Sequence, residues 1–485
     1  MHILNRTTQN IPAQLPIKVM QFGGGNFLRA FVDWMIQILN EETDFNGGVA
    51  VIKPTERGDY NELKTQDGLF TVILDGVKKG QLIAEKKLVS VVQKVVNPYT
   101  EWDAYLKLAE REELKFIVSN TTEAGIRFNP DDKFTGTPPT EFPAKLTKWL
   151  HHRYLFFGGN PSKGCILLPC ELIENNGHTL KETVLKYADH WNLNPDFKAW
   201  IASANHFCGT LVDRIVSGYP QDRAEEIELE LGYGDKLLVA GEYYHSWVIQ
   251  GSQEIQKKLP FAQTDLNVQF VEDLVPYRKM KVRILNGAHT AMVPVGYLGG
   301  LRLVRDVMQE EITFSFVENL LTGEVIKTLD FPVEIKRKFV QEVMDRYRNP
   351  LIDHQLISIS LNGTSKFVTR LLPALKGYRA LTGTLPARIV FSLAALILFY
   401  KGEFNGEEIE LKDNKQVLDF FQDHWRRVID GNLTIEELAQ SILANKLIWG
   451  ENLNNFPGMT EMVSHYIAEI EANGVMATLR TIETG

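Results

Sequence analysis

Lys281, Asn286 and His289 lie within the nine-residue segment KVRILNGAH and could together perform acid–base chemistry. An amine, an amide and an imidazole that converge on one point can move a proton to or from an alcohol or carbonyl oxygen. Asn286 and His289 are three residues apart, so they share one face if this segment is a helix. These three residues are the candidate catalytic group.

The segment that carries this group is predicted to change structure in its middle. Apolar and basic residues alternate over residues 280–284, which favours a short extended stretch. Asn286-Gly287 then predicts a turn that opens a helix. On this interpretation Lys281 lies just ahead of the helix that carries Asn286 and His289.

The composition indicates a globular protein with a small-molecule partner. A chain of 485 residues exceeds the usual size of one hydrophobic core, so two domains are expected. A net charge of −9 argues against a nucleic-acid surface, and the most apolar run, residues 389–400, is shorter than the roughly 20 residues that span a bilayer. We expect no nucleic-acid or membrane partner, and a monomer or a small homo-oligomer.

Cys165, Cys170 and Cys208 indicate a reducing compartment. Three cysteines cannot form a fully paired disulfide framework, and none lies in a CxxC pair. The N-terminal residues lack the apolar core of a signal peptide. A cytoplasmic location is therefore expected, and no cysteine–histidine cluster has the spacing of a zinc site.

The N-terminal region is predicted to bind a dinucleotide. The apolar run Ile17–Phe22 ends at Gly23-Gly24-Gly25, and apolar residues then recur at helical spacing up to Leu39. A strand, a glycine turn and a helix open a dinucleotide-binding unit, in which glycines let the backbone approach a pyrophosphate. The candidate cofactor contacts here are Phe22, Gly23, Gly25, Asn26 and Phe27.

Two features of this region leave alternatives open. No third glycine completes the GxGxxG pattern, so an ordinary glycine turn is an equal interpretation. After the second predicted strand, residues 49–52, Lys53 stands where an acid would bind the ribose hydroxyls. Because Lys53 could instead face a 2′-phosphate, the choice between NAD and NADP stays open from this segment.

Two further strands are predicted to end in polar loops. Residues 116–118 are followed by SNTTEAG, and residues 165–172 contain a second apolar run. Ligands of open α/β sheets bind at the carboxyl ends of the strands, although ordinary sheet-edge loops would give the same pattern. The candidate contacts with the cofactor are Thr121, Thr122, Glu123, Cys170 and Glu171.

The last 200 or so residues are predicted to be all helical. Helical periodicity marks residues 312–328, 332–347, 385–400, 415–430 and 461–473. We expect an α/β fold with a Rossmann-type N-terminal domain, residues 1–280, followed by an all-helical C-terminal domain, residues 281–485. Because small-molecule sites favour domain interfaces, the active site is expected in the cleft between the domains. Before the boundary, residues 207–217 are predicted to be helical, with a structural ion pair between Asp213 and Arg214.

Five motifs together resemble a known family. GGGNFLRAF, SNTTEAG, PCELI followed by NNG, LVDRIVS and KVRILNGAH occur in the order found in the mannitol dehydrogenase family of long-chain, metal-independent polyol dehydrogenases. The resemblance implies reversible hydride transfer between NAD(H) and a sugar carbon, with no metal. The family pattern KxxxxNxxH falls on Lys281 as general acid/base and on Asn286 and His289, which would hold the reacting oxygen.

The same resemblance implies a sugar-acid substrate. The motif NGTSKFVTRLLP looks most like that of family members that act on uronates. The carboxylate of a uronate needs a cationic partner, and the candidates are Lys366, Arg370 and Arg348. A solvated basic helix face is the alternative for Lys366 and Arg370.

One family feature differs. Polyol-specific members carry a further oxygen-binding asparagine where this chain has Gly209, and Asn205 and Thr210 are the nearby candidates to replace it. Three alternatives to a uronate reductase remain: an enzyme for a neutral ketose or polyol, a metal-dependent dehydrogenase, and a non-catalytic dinucleotide-binding protein.

Overall fold

The structure is a computed structural model, and it describes residues 2–11, 15–78, 81–121, 125–350 and 352–484. The chain divides into two compact units. The first contains Met1–Gly76 and Leu82–Leu274, and the second contains Val77–Gln81 and Val275–Gly485. The candidate catalytic residues Lys281, Asn286 and His289 all belong to the second unit.

The first unit is built on a six-stranded parallel sheet. The sheet has the order β5-β2-β1-β6-β7-β8. Its strands are β1 (Ile17–Phe22), β2 (Gly48–Ile52), β5 (Val92–Val96), β6 (Phe116–Ser119), β7 (Ile166–Pro169) and β8 (His206–Phe207). Phe22 pairs with Ile52 on β2 and with Ser119 on β6, so the carboxyl ends of these strands lie at one edge. From β1 the chain passes to β2 and β5 on one side, and it then crosses to β6 on the other side of β1. The crevice between β1 and β6 is therefore a topological switch point.

Helices cover both faces of this sheet. Successive residues of β6 contribute to different cores, because Phe116 and Val118 belong to one buried cluster and Ile117 belongs to another. The helices of the first unit are Asn26–Leu28, the π-helical turn Arg29–Asp33, Trp34–Glu42, Asn61–Thr65, Trp102–Lys107, Phe142–Phe156, Asn176–His190, Pro195–Ala204, Ala224–Leu231 and Gln253–Lys258. Short 3₁₀ turns lie at Leu108–Glu110, Pro161–Lys163, Gln221–Arg223 and Phe261–Gln263.

Two smaller sheets complete the first unit. One has the order β10-β11-β3-β4 and the other β13-β12-β9. Their strands are β3 (Phe70–Lys78), β4 (Gln81–Val89), β9 (Thr210–Asp213), β10 (Val216–Gly218), β11 (Val239–Glu242), β12 (Ser246–Gln250) and β13 (Val268–Val271).

From Val275 onward the described part of the second unit is helical apart from a short hairpin of β14 (Glu403–Phe404) and β15 (Glu407–Glu408). Its central helix, Ala387–Phe399, is buried from Ile389 to its end, as expected of a helix surrounded by others. The other helices are Val275–Lys281, the π-helical turn Val282–Asn286, Gly287–Leu298, Val304–Gln309, Glu311–Asn319, the π-helical turn Leu320–Val325, Val333–Tyr347, Leu356–Ile359, Gly363–Arg370, Leu372–Thr382, Lys415–Ile429, Ile435–Ala444, Lys446–Trp449, Met459–Asn473 and Val475–Thr484. 3₁₀ turns lie at Ile326–Thr328 and Leu453–Asn455.

The fold-class prediction is confirmed, but the prediction of an extended stretch at residues 280–284 is wrong. That stretch is helical, and Asn286-Gly287 lies inside a continuous helical segment, residues 275–298. Met280, Ile284 and Ala288 recur at intervals of four and are 7%, 0% and 0% exposed. Burial of this helical stripe outweighs an alternation that extends over only five residues.

The prediction of a helix over residues 207–217 is also wrong. These residues form β8, β9 and β10, and β9 pairs with β12 in the register Asp213 to Ser246. Arg214 donates to the main-chain oxygens of Ala30, Tyr243 and Tyr244, and its guanidinium lies over the ring of Trp34. These contacts take the place of the ion pair expected with Asp213.

No helix in the described part of the chain combines the length and the apolar character needed to cross a bilayer. The three cysteines are free thiols in the interior of the first unit.

Candidate active site

The glycine turn, Gly23 to Gly25, lies at the switch point of the parallel sheet. Gly23 has a φ of +117°, a conformation that side-chain-bearing residues rarely adopt, and its N–H donates to Ile52 O at 3.0 Å. A Cβ atom at Gly25 would have no neighbour within 4 Å, so open space lies beside the backbone there. Gly25 is also the N-cap of the helical segment that begins at Asn26. An exposed backbone at a helix N-terminus fits a pyrophosphate.

A buried pair of polar side chains, Gln21 and Asp33, supports the glycine turn. The Nε2 atom of Gln21 donates to Gly23 O at 3.1 Å and to the Asp33 carboxylate at 3.2 Å. Burial raises the pKa of Asp33 to about 7, against the opposing effects of the Gln21 bond and of the charge on Arg29. The hydroxyl of Tyr60 accepts from Gly24 N at 2.9 Å. No sequence pattern pointed to Tyr60, because it lies 36 residues beyond Gly24.

The other predicted contacts near the turn differ in exposure. Phe22 is fully buried, with its ring centroid 4.7 Å from that of Phe142, so only its backbone reaches the sheet edge. Asn26 is exposed and accepts from the Arg29 guanidinium at 2.7 Å. Phe27 is half-buried and stacks on Phe31 at 4.9 Å.

Glu171 links the polar ends of β6 and β7. Its carboxylate accepts from Ser119 Oγ, Thr121 N and Thr121 Oγ1, each at 3.1 Å. Glu171 is 3% exposed, and burial raises its pKa despite these bonds. Cys170 is fully buried. The side chains of Cys170 and Glu171 therefore lie inside the protein, at the carboxyl end of β7. Thr122 and Glu123 lie outside the described residues.

We predict that Gly25→Ala weakens NADH binding without destabilising the fold. The added methyl group would occupy the open space over which a pyrophosphate must approach the backbone, so we expect the Kd of NADH to rise about tenfold to a hundredfold. Gly323→Ala is the matched control, because a Cβ at Gly323 also meets nothing within 4 Å. Fluorescence titration and thermal melting should show equal melting temperatures for both variants. Unchanged NADH affinity in Gly25→Ala would show that the turn does not hold the cofactor.

The candidate catalytic residues lie on one helical segment, residues 275–298, which we call the Lys281 helix. Lys281 ends its first α-helical part, Val282–Asn286 is a π-helical turn, and Gly287–Leu298 continues as an α-helix. In an α-helix, five residues rotate by about 500°, which would leave residues 281 and 286 on different faces. A π turn closes its hydrogen bond at i+5 and returns residue i+5 to the face of residue i. Lys281, Asn286 and His289 therefore share a face.

The rings of Tyr347 and His354 pack on His289. The ring centroid of Tyr347 lies 4.5 Å from that of His289 at an interplanar angle of 38°, and that of His354 lies 5.1 Å away at 80°. His289 is 8% exposed, and burial lowers the pKa of His354. Sequence reasoning did not identify Tyr347 or His354, because neither belongs to a motif with the Lys281 helix.

Arg370 lies against the same helix. Its Nη1 donates to Asn286 O at 3.4 Å and to Thr290 Oγ1 at 3.2 Å. Burial lowers the pKa of Arg370; burial and then the charge of Arg370 lower the pKa of Lys366. An anion near both cations would relieve the repulsion that Arg370 exerts on Lys366. The Nζ of Lys366 donates to Ile359 O at 2.8 Å.

Arg348 lies in a different environment from the other two predicted cations. Its side chain is exposed, and its guanidinium lies over the ring of Phe314 at 4.3 Å. The described contacts thus give Arg370 more support than Arg348 as a partner for a substrate near Asn286.

The space at Gly209 is already filled. A Cβ at this position would lie 2.9 Å from Gln250 Oε1 and 3.0 Å from Leu274 Cδ1. Asn205 and Thr210 are both buried and have structural bonds: Asn205 with Cys165 N and Trp200 O, Thr210 with Asn176 and Pro169 O. These bonds tie both side chains to other groups of the first unit, so the described contacts favour neither residue as a replacement for the family asparagine.

No group of three or more histidine, cysteine or acidic side chains in the described ranges has a metal-binding arrangement. The first unit carries a glycine turn with open space beside Gly25. The second unit carries the amine of Lys281, the amide of Asn286, the imidazole of His289 and the cations Lys366 and Arg370.

Two family models cover most of the chain. The Rossmann domain model of mannitol dehydrogenase matches residues 17–263, and the model of its C-terminal domain matches residues 273–471. Curated proteins named altronate oxidoreductase are similar over the full length. That of Yersinia enterocolitica is 45% identical over 481 residues, covering 99% of each chain, and that of Escherichia coli is 45% identical over 484 residues, covering 99% of this chain and 100% of its own.

Solved structures share the fold. A Pseudomonas fluorescens mannitol 2-dehydrogenase, in a ternary complex with NAD and D-mannitol, has a TM-score of 0.66 at 21% identity and full coverage of both chains. A D-sorbitol dehydrogenase in substrate-free form has a TM-score of 0.79 at 20% identity, covering 98% of this chain and 100% of its own.

Proposed function

The chain belongs to the mannitol dehydrogenase family, and from that premise we propose that it is an NAD(H)-dependent oxidoreductase that interconverts tagaturonate and altronate. The relatives named altronate oxidoreductase support the substrate, since 45% identity extends over the whole chain. The proposed place of the enzyme is the breakdown of hexuronates.

Arg370, which contacts Asn286, and Lys366 near it carry the proposal of a sugar acid. Arg370 bonds to the main-chain oxygen of Asn286, and the charge of Arg370 acts on Lys366. Among the described residues Arg370 bonds only to neutral oxygens, whereas Lys366 already has the charge of Asp413 near it. A uronate carboxylate would give Arg370 an ionic partner that a neutral polyol cannot supply. We therefore assign Lys366 and Arg370 to the carboxylate end of the substrate, with Arg348 as a weaker third candidate.

We assign the cofactor to the edge that carries the glycine turn. Gly23, Gly25 and Asn26 would hold the pyrophosphate, with Phe22 contributing its backbone and Phe27 lying beside it. Thr121, Thr122, Glu123, Cys170 and Glu171 would form or support the opposite side of this crevice. NADH supplies the hydride for reduction of the keto carbon. Lys53, half-buried at the end of β2, leaves some use of NADPH open to measurement.

Lys281 is proposed as the general acid and base. When a hydride reaches the keto carbon, the bond electrons move to the attached oxygen, which then takes a proton from the Lys281 ammonium group. In the reverse direction the neutral amine removes the proton from the hydroxyl group. Asn286 would donate a hydrogen bond from its side-chain amide to the reacting oxygen as negative charge develops on that oxygen. His289 would hold the oxygen in position.

Initial rates on a small panel test this function. NADH and NADPH oxidation should be measured against tagaturonate, fructuronate and fructose. We expect the highest kcat/KM with NADH and tagaturonate, and a value about tenfold to a hundredfold lower with fructose, because a charged hydrogen bond to the carboxylate is lost. A preference for fructuronate would make the chain a fructuronate reductase. Comparable rates on fructose would overturn the uronate assignment in favour of a mannitol-type enzyme.

A further inference from the structure

Tyr347 contacts the Lys281 helix in two independent ways. Its hydroxyl group donates to Leu285 O at 2.5 Å, and its ring packs on His289 with centroids 4.5 Å apart. Tyr347 is the last residue of the helix Val333–Tyr347 and is 5% exposed, so it is fixed in the core of the second unit. One side chain thus touches both the π turn and the imidazole.

Tyr347 donates its hydroxyl hydrogen bond to Leu285, the residue before Asn286. A π turn replaces the i+4 bonds of an α-helix by i+5 bonds, so side chains can donate hydrogen bonds to main-chain oxygens at the turn. Leu285 O accepts from Tyr347, and Asn286 O accepts from Thr290 Oγ1 at 2.9 Å and from Arg370. Because the π turn brings Lys281 and Asn286 to one face, the side chains that hold it also determine the geometry of the catalytic group.

The ring of His354 also packs on the His289 imidazole. Its ring meets that of His289 nearly at right angles, at 80° and 5.1 Å. The main chain of His354 is held in turn, since its oxygen accepts from Val304 N at 3.0 Å and Leu303 forms a bridge with Gln355. Tyr347 near one face and His354 at an angle to it leave the His289 ring little freedom to rotate.

We propose that Tyr347 and His354 are positioning residues of the reaction: Tyr347 holds the π turn and the His289 ring, and His354 holds the same ring from a second direction. The inference rests on the proposed roles of Lys281, Asn286 and His289. Neither residue needs to touch the substrate. Misplacement of a reacting group by about 1 Å can cost about a hundredfold in rate, so the effect of both residues falls on kcat.

Two substitutions separate the contacts of Tyr347. Tyr347→Phe removes the hydroxyl bond and keeps the ring. We expect kcat to fall about fivefold, the factor that corresponds to the net contribution of one hydrogen bond, about 1 kcal/mol. Tyr347→Leu removes both contacts, and we expect kcat about a hundredfold lower. The KM of NADH should not change in either variant, because the proposed cofactor turn belongs to the first unit.

Tyr105→Phe is the matched control for the hydroxyl group. Tyr105 is fully buried and donates to Lys145 O at 3.0 Å, so this variant loses the same type of bond away from the Lys281 helix. We expect a similar fall in melting temperature and an unchanged kcat. If Tyr347→Phe and Tyr105→Phe have equal kcat, Tyr347 has a structural role only and the proposal is overturned.

His354 provides a second measurement that does not depend on Tyr347. His354→Phe keeps an aromatic ring and should retain kcat within about threefold, whereas His354→Ala should lower kcat about tenfold without changing the KM of NADH. Equal kcat for the wild type and His354→Ala would remove His354 from the proposal.

Failure of this inference can be told apart from failure of the proposed function. His289→Asn tests the role of His289 itself. If His289→Asn is inactive while both Tyr347 variants have full kcat, the positioning role is wrong and the catalytic assignment stands. If His289→Asn has full kcat, the catalytic assignment of His289 is wrong.

Discussion

Lys281→Ala is expected to lower kcat by about a thousandfold to ten-thousandfold, at the upper range of what general acid–base catalysis contributes. Without the amine, the group that we assign to protonate the reacting oxygen after hydride transfer is lost. Lys281 is half-buried, so loss of its side chain should leave the melting temperature nearly intact. The measurements are steady-state kcat, the Kd of NADH by fluorescence and thermal melting.

Lys279→Ala is the matched control, because Lys279 is an exposed lysine on the same α-helical part of the Lys281 helix. It should retain full kcat. Lys281→Arg should be nearly as inactive as Lys281→Ala, since a guanidinium keeps the charge but does not release its proton near neutral pH. Substantial turnover by either Lys281 variant, with NADH binding intact, would show that another group moves the proton.

Arg370→Ala is expected to raise the KM of tagaturonate by about tenfold to a hundredfold, the range for losing a hydrogen bond to a charged group. Because Arg370 also bonds to Asn286 O and Thr290, we expect a smaller fall in kcat as well. Arg370→Lys keeps the charge without the planar guanidinium group. Compared with Arg370→Ala, its KM for tagaturonate should be closer to the wild-type value, and its kcat should be little higher. The Kd of NADH should stay at the wild-type value.

Lys376→Ala is the control for a loss of positive charge in the second unit. Lys376 is exposed and forms an ion pair with Glu451, so its loss should change neither kcat nor KM. If Arg370→Ala lowers kcat and leaves the KM of tagaturonate unchanged, Arg370 holds the Lys281 helix and does not bind the carboxylate. The same kinetic series on Lys366→Ala would then locate the cation that does.

Much of the first unit is predictable because its signals are local. The apolar run Ile17–Phe22 is strand β1 with the same bounds, and Gly23 has the positive φ that a tight turn requires. The predicted second strand, residues 49–52, lies within β2 (Gly48–Ile52). Neighbouring residues decide such elements, since apolar periodicity and turn chemistry act over a few residues.

The errors arose where long-range pairing outweighs local pattern. Residues 207–217 have helical apolar spacing, but β9 pairs with β12, some 35 residues later in the chain. Gly209 provides a second example, because the position of the Gln250 side chain beside it depends on that pairing. A local pattern does not indicate which distant strand will supply the partner.

The sequence by itself determined which residues could do the chemistry: the spacing of Lys281, Asn286 and His289, the glycine turn and the cations Lys366 and Arg370 are all readable in the printed chain. Only the tertiary structure decided how the residues of the second unit come together. The π turn that returns Lys281 to the face of Asn286 is held by Tyr347, 62 residues beyond Leu285, and Arg370 reaches Asn286 across 84 residues. A hydrogen bond over such a distance in sequence has no local signal, because folding brings its two partners together only when the helices of the second unit pack.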